Sequence, residues 1–170
     1  RTLTKSGMHR DLITSTTHKR ISPPTGRISC RLASIELLQD TIFVDQYEVE
    51  EIARFGGPST MIYRAIDLEK PSFLSSQNII ITSTPVPWDS SSSNLSLPLH
   101  FRYQMPNPSE SYSGITINPS IIVTMCAQSS RPPPSPDTNT VISLLMGYLP
   151  TLPQGHTIYF HHDSSSPSSS

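Results

Sequence analysis

Leu97-Pro98-Leu99-His100-Phe101-Arg102-Tyr103 alternates, with Leu97, Leu99, Phe101 and Tyr103 on one face and His100 and Arg102 on the other. Successive side chains of an extended chain point to opposite faces, so this stretch predicts a half-buried strand. Pro98 has no backbone donor and predicts an edge strand or a first ladder position. Working outward, Asn78-Ile79-Ile80-Ile81-Thr82 and Ile121-Ile122-Val123-Thr124-Met125 are β-branched runs that suit buried strands. Weaker strand candidates occupy 12–16, 28–33, 61–65, 114–117, 141–146 and 156–160. Only 46–55 reads as a helix. There Tyr47, Val49, Ile52 and Phe55 recur at helical spacing, acidic residues fall early, and Gly56-Gly57-Pro58 ends the run. One short helix among many short strands predicts a mainly β fold, an antiparallel β-sandwich-like domain.

Composition agrees with that class. The 170 residues are 35% hydrophobic and 15% charged, with 17 prolines, which disfavours a helical bundle whose solvent face consumes Lys and Glu. Twelve Lys+Arg against 13 Asp+Glu leave no basic excess, which argues against nucleic acid as a partner. No run approaches the ~18–20 apolar residues of a membrane-spanning helix. The chain opens at Arg1 rather than methionine, which predicts a fragment or a processed product. Asp89 to Ser93 predicts an exposed loop, and the prolines of Ser129 to Pro136 an extended connector.

Catalytic templates find no foothold. There is no G-x-S-x-G elbow, P-loop or G-x-G-x-x-G. His9, His18 and His100 are widely separated and read as surface or hydrogen-bonded histidines. His161-His162-Asp163 is the densest ligand cluster, but it borders a serine-rich tail without the rigid frame that zinc sites need. Asp45 predicts a helix N-cap, with Glu48 three residues later completing a capping box. Cys30 and Cys126, each in a predicted strand, suggest either an inter-sheet disulfide or two buried thiols. Asn94-Leu95-Ser96 is an N-glycosylation acceptor pattern beside the serine loop.

Several stretches in order carry a family pattern: Met8-His9-Arg10-Asp11-Leu12, Cys30-Arg31-Leu32, Ile42-Phe43-Val44-Asp45-Gln46-Tyr47-Glu48, Asp67 to Ser75, Leu97 to Tyr103, and Met125-Cys126. Together they closely resemble the lumenal domain of the PIG-X family, the stabilising subunit of GPI mannosyltransferase I in the endoplasmic reticulum. The family often has proline where this chain has Gln46, so a different local turn is expected there.

The resemblance implies a non-catalytic subunit without cofactor or metal. Its partner would be a multi-spanning PIG-M-type catalytic subunit that transfers the first mannose from dolichol-phosphate-mannose in GPI-anchor biosynthesis. It implies location in the endoplasmic reticulum membrane, the domain facing the lumen, and membrane association through a C-terminal helix absent from this chain. It favours a Cys30–Cys126 bond, since that compartment is oxidising. Its motif residues His9, Arg10, Phe43, Asp45, Tyr47, Glu48, His100, Arg102 and Tyr103 are expected to form or rigidify the partner surface.

The corresponding division is a flexible segment 1–7, a β-domain 8–128, a Pro/Ser-rich connector 129–140, terminal strands 141–160 that rejoin the domain, and a disordered tail 161–170. Two other readings compete with the stabilising subunit. One is a secreted or cell-surface β-sandwich that binds carbohydrate or protein. The other is an enzyme built on His100, Arg102 and a carboxylate such as Asp45.

Overall fold

Two antiparallel sheets face each other through side chains that alternate along their strands. The computed structural model describes residues 1–17, 28–86, 90–106, 108–109, 114–128 and 156–162, with backbone alone at 28–29, 125–128 and 156–162. The strands are β1 (Thr2–Thr4), β2 (His9–Thr17), β3 (Ile28–Leu38), β4 (Ile42–Phe43), β5 (Ser59–Ile62), β6 (Asn78–Val86), β7 (Ser92–Phe101), β8 (Ile121–Gln128) and β9 (His156–His162). Helix α1 is Gln46–Arg54, and a 3-10 turn spans Ser72–Leu74. The first sheet has the order β1-β2-β7-β4 and the second β5-β6-β3-β8-β9.

The core lies between the sheets. Leu12, Leu97, Leu99 and Ile42 of the first sheet meet Leu38 and Ile80 of the second, with Val44 and Val49 closing the cluster. Leu95 meets Cys30, Leu32, Val86 and Ile122 in a second cluster. Each fully buried aliphatic side chain contributes about 1.5–3 kcal/mol of transfer free energy. A third cluster of Ala33, Ile35, Ile81 and Val123 belongs to the other face of the five-stranded sheet. Burial on both faces explains why β6 and β8 open with the continuous apolar runs Ile79-Ile80-Ile81 and Ile121-Ile122-Val123 rather than clean alternations.

Pro98 sits where β7 is flanked by β2 alone, because β4 reaches only His100 and Phe101. By sheet order β7 is an inner strand, not the edge strand expected, and the missing donor is tolerated because β4 does not extend to Pro98.

Several expectations are corrected. β7 ends at Phe101, so the alternation does not carry through: Arg102 turns inward at 7% exposure and Tyr103 outward at 81%. Residues 114–117 form no strand; Ile115 and Ile117 instead pack at the border of the first core cluster. Ser92 and Ser93 belong to β7, opposite Thr17 and Thr16, rather than to a loop. β9 runs on to His162, so His161 and His162 are strand residues rather than tail. In α1 only Val49 is buried, while Tyr47 and the cap residue Phe55 are exposed, because the helix touches the body on a narrow front. The connector 129–140, the candidate strand 141–146 and residues 163–170 lie outside the described residues.

The strand register sets Cys30 directly opposite Cys126 on neighbouring β3 and β8. Cys30 is disulfide-bonded. A bond between these two positions would be a cross-strand link within one sheet, not the inter-sheet link expected, since both strands belong to the same layer.

Candidate functional site

Three stretches far apart in sequence meet at one end of the four-stranded sheet. The antiparallel register pairs His9 of β2 with His100 of β7, and His100 with Phe43 of β4. These three residues form one cross-strand row on the face away from Leu99. The His9 and His100 rings meet edge to face with centroids 3.8 Å apart, and Phe43 stacks on His100 at 4.9 Å.

Helix α1 brings the fourth member. Asp45 Oδ1 accepts from the Tyr47 N–H at 2.9 Å, which starts the helix as a side-chain cap. The capping box expected of Glu48 does not form, because its carboxylate turns to His100. His100 Nε2 donates to Glu48 Oε2 at 2.8 Å, with side-chain exposures of 12% and 32%. A carboxylate can only accept, which assigns the proton to the imidazole nitrogen.

Arg102 closes the row from below. Its guanidinium lies 4.5 Å from the Phe43 ring centroid and donates through Nη1 to the Lys70 carbonyl. Burial lowers its pKa, and the negative charge of Asp67 partly offsets that. Its backbone N–H is held by Thr41 O at 2.9 Å, and Tyr103 O accepts from Ser72 N–H at 3.0 Å. The Asp67 to Ser75 stretch is thereby tied to the end of β7. Arg10 lies 5.9 Å from the Phe101 ring and donates to the Lys5 carbonyl. Arg10 and Arg102 border an open groove of ≈ 610 Å³ shared with Leu3, Met8, Phe101 and Tyr103.

Of the predicted site residues, His9, Phe43, Glu48 and His100 are brought into contact, with Arg102 on the far side of the same assembly. Asp45 and Tyr47 stand at the start of α1, and Arg10 and Tyr103 line the groove instead, Arg10 on the Leu99 face of the sheet. Tyr47 and Tyr103 are 73% and 81% exposed, and Leu74 and Met105 64% and 62%. Tyr103, which the alternation puts on the face of Leu97 and Leu99, is a surface residue because the strand ends before it. Asn94 is elsewhere, at an exposed position of β7 opposite Ser15. Cys30 lies in the second core cluster. Reading His9 and His100 as unrelated histidines missed their pairing, and only the strand register reveals it.

Of the enzyme reading's members, His100 meets a carboxylate other than Asp45, and Arg102 lies against the Phe43 ring that stacks on His100. Asp45 serves the helix start, and His100 faces Glu48. Among the described residues no helix is long and apolar enough to cross a membrane.

A family model described as PIG-X / PBN1 matches residues 5–170 of the chain. No curated protein and no solved structure matches.

Proposed function

The chain belongs to the PIG-X / PBN1 family, associated with the mannosyltransferase complex of GPI-anchor biosynthesis, and from that premise we propose that it is the complex's non-catalytic stabilising subunit. It holds a PIG-M-type catalytic subunit that transfers the first mannose from dolichol-phosphate-mannose, with this domain on the lumenal side of the endoplasmic reticulum membrane. The observation that supports the reading is the convergence of four family stretches, those at 8–12, 42–48, 67–75 and 97–103, on one end of the four-stranded sheet. There the His100–Glu48 hydrogen bond and the rings of His9, His100 and Phe43 form one fixed cluster, and the same stretches carry the exposed aromatic side chains Tyr47 and Tyr103. Rigid aromatic groups of this kind are favoured anchors in protein interfaces. The same reading assigns Cys30 and Cys126 to one disulfide and Asn94 to an N-linked glycan, both suited to an oxidising lumen.

Depleting the protein from cells should lower both the abundance of the catalytic subunit and first-mannose transfer. The double variant Tyr47→Ser with Tyr103→Ser should reduce co-purification of the catalytic subunit at least ~10-fold, the effect of losing about 1.4 kcal/mol of interface. Its unfolding midpoint should remain that of the parent, because both rings are exposed. Unchanged partner levels and transfer after depletion would overturn the proposal.

A further inference from the structure

His9, Glu48 and His100 each offer one potential metal-ligand atom, and all three atoms lie within 4.8 Å of one another. We propose that they form a binding site for a divalent transition-metal ion of the zinc type. Two imidazoles and one carboxylate suit Zn²⁺, whereas Ca²⁺ and Mg²⁺ prefer oxygen donors throughout. Zn–N and Zn–O bonds of about 2.0–2.2 Å in a tetrahedron place ligand atoms roughly 3.3 Å apart. The 2.8 Å His100–Glu48 contact would open slightly and the wider separations close, movements within reach of side-chain rotation.

The frame supports such a site. His9 and His100 are held by the β2–β7 register, and Phe43 stacks on His100 and limits its rotation. Glu48 is carried on a helix anchored by buried Val49. On binding, the imidazole of His100 stays neutral: its proton passes through solvent from Nε2 to Nδ1, the Nε2 lone pair takes the ion, and water fills the fourth position. The bound ion links α1 to the paired strands β2 and β7, which the helix reaches here through the His100–Glu48 hydrogen bond. This inference does not depend on the stabilising role.

The test is titration of the full chain, stripped of metal by a chelator, with Zn²⁺ and with Co²⁺. Expected are one Zn²⁺ per chain at micromolar metal, a visible absorption band of tetrahedral Co²⁺, and a rise in unfolding midpoint on Zn²⁺ addition. His9→Gln and Glu48→Gln should each weaken binding at least ~10-fold, the loss already seen when groups that merely support a ligand are removed. His9 is exposed, so His9→Gln should leave the metal-free unfolding midpoint unchanged and stays informative even where Glu48→Gln destabilises the fold. A His161→Gln, His162→Gln double variant should bind as the parent does. The proposal is overturned by absence of binding at micromolar Zn²⁺, by binding that survives His9→Gln, or by binding lost with His161 and His162.

Discussion

Glu48 and Glu36 show how one side-chain type takes different roles from its surroundings. Glu48, partly exposed on α1, accepts from His100. Glu36 on β3 is 2% exposed, held by Arg1 Nη2 at 2.6 Å and by the Ser34 hydroxyl. Desolvation raises its pKa above the ordinary 4.5, opposed by the Ser34 hydrogen bond and the Arg1 charge. Because the folded-state pKa exceeds the unfolded one, the native protein binds more protons between the two values. Stability contributed by Glu36 is therefore fully present below the ordinary carboxyl value and falls as pH rises through the raised one. Glu36→Gln keeps the partner for Ser34 and removes that dependence. Denaturant unfolding from pH 4.5 to 7 should show the variant gaining on the parent as pH increases; a constant difference would contradict the assignment.

Helix α1 has nine residues, too short to persist alone in water, so its ends and its single buried contact decide whether it forms. Asp45 caps the start. At the other end the Gly56 N–H bonds Ala53 O at 3.1 Å and the Gly57 N–H bonds Ile52 O at 2.9 Å, a Schellman closure. Gly56 has φ of +85°, a left-handed conformation that a side chain disfavours. Gly56→Ala should cost about 1 kcal/mol and lower the unfolding midpoint, although a Cβ there would meet no atom within 4 Å. The loss is conformational rather than steric, so any other non-glycine residue of low αL preference should cost as much.

Across the molecule, the first sheet carries the site and the second carries the long β3, paired with β6 on one side and β8 on the other. β3 and β8 come from distant parts of the chain, so the assigned Cys30–Cys126 bond closes a loop of roughly 95 residues. In the chain-entropy account such a link stabilises by about 4 kcal/mol, chiefly by restricting the unfolded chain. The double variant Cys30→Ser with Cys126→Ser should lose stability of that order in chemical denaturation. The unfolded, unreduced parent should show no thiol reactive to alkylation; a titratable thiol would rule the bond out.

Local chemistry made much of this protein readable from residues alone. β-branched runs, the alternation up to Phe101, Asp45 before an acidic turn and glycines after it each act over a few residues. They predicted strands, a helix and a two-sheet class that are present. The end of β7 was not legible, because nothing within Phe101-Arg102-Tyr103 states that β4 stops pairing there and that the Lys70 carbonyl and Phe43 ring wait for the guanidinium. Nor was the Glu48 pairing, since a capping box and a contact with His100 compete for one carboxylate and the outcome depends on a residue 52 positions away. Cross-strand register sets which distant side chains become neighbours, and it arises from the packing of two whole sheets. His9 and His100 are ordinary histidines in the linear chain; long-range pairing of β2 with β7 makes them a site.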